Sequence, residues 1–158
     1  KPSEYRRTRS ALAGKELNHL DINYGKDALR SLSNSAIAMF KSDNSISIED
    51  GQSRWMKFYN ENIHDLGHYF RTLYHIILYV KNSEIDDPKF YTNIVRAQLC
   101  NSELVLICLN CAFGYGREKF LILVEEFELF DNLDFTNIPE IESIAKSYFS
   151  AKAFGTNI

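Results

Sequence analysis

The sequence predicts an all-α protein, a single-domain helical bundle of about five or six helices. Apolar residues recur mostly three and four positions apart, the spacing of one helix face. Only 7 Gly and 3 Pro punctuate the 158 residues. With 45% hydrophobic and 25% charged residues, the chain has the composition of an ordinary globular domain and the length to bury a real core.

Residues 1–20 are Ser/Arg-rich and weakly patterned. They are expected to form a weakly ordered segment ahead of a helical domain over 21–158, with Glu4 to Ala13 the stretch in which a short helix fits. The basic cluster Lys1, Arg6, Arg7 and Arg9 reads as a solvated end. A stronger helix spans about Lys26 to Lys41, with Ala28, Leu29, Leu32, Ala36, Ile37 and Phe40 inward. Ser42-Asp43-Asn44-Ser45 reads as a loop. Helical pattern resumes near Ile48 and continues, with a bend, to about Asn82; Trp55, Phe58 and Tyr59 give its first half bulk. Gly67 costs such a helix about 1 kcal/mol relative to Ala, so it is read as marking a close helix crossing.

The clearest start signal is Asp86-Asp87-Pro88, an acidic cap followed by proline at the first helical position. One helix is expected from there to about Phe113, stopping at the Gly114-Tyr115-Gly116 turn. Its apolar residues lie nearly all round (Val95, Leu99, Leu104, Leu106 and Leu109 among them), which marks the central buried helix. A further helix covers about Arg117 to Leu129. Asn137 and Pro139 open the last, from about Glu140 to Phe154.

The net charge of −3 gives no general pull towards nucleic acid or anionic lipid. Cys100, Cys108 and Cys111 are odd in number and share one apolar run, unlike a secreted disulfide framework. A reducing cytoplasm is therefore the expected setting. The strongest apolar run, Leu104 to Phe113, is broken by Asn110 and has about half the length a bilayer crossing needs, so no membrane contact is expected from this segment. The chain begins with Lys, which suits a piece of a longer protein whose upstream part could carry a membrane anchor.

The residues that point to chemistry are His64, His68, Arg71 and His75. At about 100° per residue they fall within an arc of roughly 60°, opposite the apolar side. In the expected central helix, Arg96 and Glu103 lie seven residues apart, about 20° from each other on the same wheel. Long charged side chains in such a helix need partners. Arg71, the histidines and Tyr74 are the available ones, giving a polar seam between helices. That seam could fix helix register, line a binding or catalytic pocket, or simply face solvent.

No metal site and no cofactor are expected. His64 and His68 have the i, i+4 spacing of a zinc helix, but Asp65-Leu66-Gly67 intervenes and the cation Arg71 follows. Cys108 and Cys111 fall near a helix C-terminus, where the dipole does not activate a thiol, and read as packing residues. No serine sits at a strained elbow. Gly114-Tyr115-Gly116 lacks the third glycine of a dinucleotide loop.

The run Asp65-Leu66-Gly67-His68-Tyr69-Phe70-Arg71-Thr72-Leu73-Tyr74-His75-Ile76-Ile77 resembles the central motif of the phage abortive infection proteins, the AbiC-like group. Tyr91 to Leu99 with Glu103-Leu104 forms a second similar block. Lys119-Phe120, Glu125 to Phe130 and Asp131-Asn132-Leu133 form a third, and Asn23 to Leu29 resembles the family's upstream segment. The resemblance covers most of residues 23–133. It implies a bacterial defence protein that halts growth or kills the infected cell, and it implies no particular reaction.

The expected role is therefore an interaction or effector domain whose seam (His64, Tyr74, Arg96 and Glu103 with the Arg71 stripe) binds a protein partner, a nucleotide or a second copy of the chain. The alternative, by analogy with HEPN-type helical ribonucleases, is metal-independent cleavage of RNA across a dimer. Arg71 would then neutralise the scissile phosphate while His75, with His68, moved the 2′-hydroxyl proton. The HEPN pattern places four to six residues between Arg and His, against three here.

Overall fold

A computed structural model describes residues 25–41 and 46–155. The expected helix near 4–13, the order of segment 1–20 and the loop at 42–45 lie outside these residues. Helix α1 (Lys26–Phe40) starts after Gly25, whose φ of 57° favours glycine. It buries Ser33, Ala36 and Phe40. Helix α2 (Ile48–Glu61) is capped by Ser47, whose hydroxyl accepts from the Asp50 N–H at 3.2 Å. The expected bend in the next stretch is a full break at Asn62. There the side-chain amide turns back to donate to the Phe58 carbonyl at 2.8 Å. Helix α3 (Ile63–Asn82) follows and buries Leu66, Gly67, Phe70, Leu73 and Ile77.

Helix α4 (Pro88–Gln98) begins as the sequence predicts, with the Asp87 carboxylate accepting from the Phe90 N–H at 3.0 Å. The single helix expected over 88–113 does not form. The chain leaves α4 at Leu99 and re-enters as α5 (Asn101–Phe113), the two meeting at 113°. The physical cause is a cap. Glu103 reaches back so that its Oε2 accepts from the Cys100 N–H at 2.8 Å, satisfying a donor that a new helix start would otherwise orphan. α5 is the central helix: every residue from Glu103 to Phe113 is buried, and it packs against α1, α2, α6 and α7. Among the described residues no single helix is long and apolar enough to cross a membrane.

After α5 the chain makes a 3-10 turn (Tyr115–Arg117) and then a short α6 (Phe120–Glu126). This helix is shorter than expected because Glu128, at φ 54°, turns the backbone out of helix. α7 (Pro139–Tyr148) also stops early. Phe149 is extended, the Ser150 N–H donates to Glu125 Oε1 at 2.8 Å, and a second 3-10 turn covers Ala151–Phe154. The described residues thus hold seven α-helices and no strand. The excess over the expected number arises because two long helices each break in two.

Candidate functional site

His64, His68, Arg71 and His75 are all exposed along α3, as their wheel positions require. The polar residues expected to meet them do not. Arg96 is on α4, where it donates to the Glu128 carbonyl at 3.0 Å and lies 3.3 Å from Asp131 Oδ2. Glu103 is buried at the start of α5, accepting from Cys100 and, through Oε1, from the Tyr69 hydroxyl at 3.2 Å. The predicted seam is therefore absent among the described residues. Its premise was a shared wheel for Arg96 and Glu103, and the break at Leu99 removes it.

Arg71 instead stands beside a cleft of about 270 Å³ between α2, α3 and the turn after α5. The cleft has aromatic walls. Tyr59 stacks on Phe70 (centroids 6.4 Å apart, planes 14°) and meets Tyr115 edge-on at 5.5 Å. Tyr74 meets Phe120 edge-on at 5.9 Å. Two exposed cations, Arg71 and Lys119, stand at its rim. Neither makes an ion pair among the described residues.

Glycines give the cleft its depth. A Cβ on Gly67 would lie 3.0 Å from the Tyr59 hydroxyl, and one on Gly116 would lie 2.6 Å from Asn110 Nδ2. Gly67 thus makes room for a side chain of α2, the Tyr59 hydroxyl. Asn110 is only 3% exposed, and its buried Oδ1 has no hydrogen-bond partner among the described residues. Its Oδ1 points towards Gly114, close to the equally unpartnered Trp55 Nε1. A buried polar group left so costs about 1–3 kcal/mol, which is uncommon without a compensating role. Burial, reinforced by nearby Tyr115 and opposed by Arg71, raises the Tyr59 hydroxyl above its ordinary range. It therefore stays protonated at neutral pH.

The stripe also borders a second, shallower groove on the outer face of α3, where His68, Arg71 and His75 lie beside Ile76 and Tyr79. Of the residues predicted from sequence, Arg71 belongs to both hollows. Tyr74 belongs to the cleft alone, while His64, Arg96 and Glu103 line neither.

Sequence reasoning missed Tyr59, Asn110, Tyr115 and Lys119 as site residues. A signal existed: one amide interrupts an otherwise apolar helix, followed immediately by Gly-Tyr-Gly. That turn does terminate α5 at Phe113, and it also wraps Asn110 and presents Tyr115.

Residues 61–138 are similar to the putative phage abortive infection protein family. The family's model matches that stretch, which runs from the end of α2 to the start of α7 and holds all of the cleft except Tyr59. The match supports a role in abortive-infection defence. No curated protein and no solved structure matches the chain.

Proposed function

We propose that this protein is a binding module of abortive-infection defence, and that its ligand enters the cleft beside Arg71. The carrying observation is that Arg71 and Lys119, neither of them ion-paired among the described residues, stand over an aromatic cleft with the Asn110 amide in its floor. The cleft lining includes no His, Cys, Asp or Glu. Such a site can hold and orient an anion. The ligand would act by favouring one state of the module over another, which a protein partner or a second copy could then read. Three free thiols, two of them buried, support a reducing cytoplasmic setting.

The test is phage protection in cells. Arg71→Ala with Lys119→Ala should abolish protection while leaving the unfolding midpoint near that of the wild type, because both side chains are exposed. Full protection by that double variant would overturn the reading.

A second reading has one observation in its favour: His68, Arg71 and His75 share the outer groove of α3, an arrangement open to RNA. Metal-independent cleavage predicts degradation of total RNA in EDTA by the wild type and none by His75→Ala. Equal behaviour of the two would remove the ribonuclease alternative.

A further inference from the structure

Resting on the binding reading above, we infer that the cleft takes a nucleoside phosphate, with the base between the aromatic walls and the phosphate at Arg71 and Lys119. The cleft offers mainly donors. Arg71 and Lys119 bring cationic N–H groups, and Asn110 Nδ2 lies on the Gly116 side of the floor. No lining carboxylate repels an anion. A ligand rich in oxygen acceptors and negatively charged at one end matches this set.

The walls ask for something flat at the other end. Tyr115 is 70% exposed at the mouth although its edge is packed against Tyr59. A base laid against its ring would cover a surface the protein leaves open, and base–aromatic stacking is tolerant of base identity. Asn110 supplies the remaining contact. A side-chain amide N–H can donate to an acceptor on a base edge, and Asn110 Nδ2, on the Gly116 side of the floor, makes no hydrogen bond among the described residues. The volume of about 270 Å³ is at the small end for ligand pockets, suited to a mononucleotide rather than to a helix or a duplex. A bare phosphate would leave the aromatic walls and the amide unused. A neutral aromatic would leave the two cations unused.

The experiment is calorimetric titration of the 158-residue chain in EDTA with the four common ribonucleoside triphosphates, their nucleosides and inorganic tripolyphosphate. At least one nucleotide should bind about tenfold or more tightly than both its nucleoside and tripolyphosphate. Arg71→Ala and Tyr115→Ala should each weaken that binding about tenfold without moving the unfolding midpoint. Three results overturn the inference: no nucleotide binds, tripolyphosphate binds as tightly as every nucleotide, or Arg71→Ala binds like the wild type. If no nucleotide binds yet the Arg71→Ala, Lys119→Ala variant has lost phage protection, the binding module stands and only its ligand class is wrong. If that variant still protects, the cleft is not the working site, whatever binds there.

Discussion

At the scale of single residues, Glu103 and Arg71, expected to meet in one seam, do separate jobs. Glu103 holds a helix start together, accepting from Cys100 and Tyr69 inside the protein, whereas Arg71 stands exposed over a cleft. Glu103→Ala should therefore lower stability by about 1–3 kcal/mol, since two part-buried donors lose their acceptor. Arg71→Ala should stay within about 0.5 kcal/mol of the wild type. Urea unfolding of the two variants checks the pair; a large loss from Arg71→Ala would restore the buried network that the sequence suggested. The cysteines divide in the same way. Cys100 is partly exposed, whereas Cys108 and Cys111 are buried, and burial raises both of their thiols well above the ordinary range. A thiol-specific chromogenic reagent should label Cys100 alone in the native protein and all three cysteines after denaturation.

At the scale of elements, the sequence was legible where a common cap residue opened a helix and obscure where an uncommon one did. Asp87-Pro88 before α4 could be read because the cap and its target lie within three residues and aspartate is a common cap. The break at Leu99–Cys100 was not. The apolar pattern runs straight through it, and Cys100-Asn101-Ser102-Glu103 hides the cap behind a residue seldom used as one. Once that turn is made, Arg96 and Glu103 belong to different helices, so any wheel drawn through both misplaces them. Gly67 looked like the close crossing, yet the tight contact is at Gly51 on α2, where an added Cβ would lie 2.3 Å from the Phe113 ring of α5. Gly51→Ala should cost about 1–3 kcal/mol by overpacking, measurable as a lower unfolding midpoint. If this substitution were neutral or stabilising, the α2–α5 contact could not be as close as described.

At the scale of the whole molecule, burying α5 ties stability to pH. The folded-state pKa values of Cys108, Cys111 and Tyr69 are all raised, chiefly by burial and, for Tyr69, also by the charge of Glu103. Their contribution is complete below the unfolded values, about 8.5 for thiols and about 10 for tyrosine. It is lost as pH rises past those values, because only the unfolded chain gives up its protons there. Denaturant unfolding should show a decline beginning near pH 8.5 and steepening above 10, and a flat profile to pH 11 would contradict the buried state of these groups. By itself the sequence determined the helical class, the central position of the second half of the helix expected over 88–113, the outward facing of the histidine stripe and the family resemblance. Each of these is written in spacing or in a contiguous motif. Only the tertiary structure decided which charged groups meet and where the cleft lies. Tyr59, Arg71, Asn110 and Lys119 come from four separate stretches, and their convergence depends on a 113° turn set by one carboxylate reaching back to one backbone N–H.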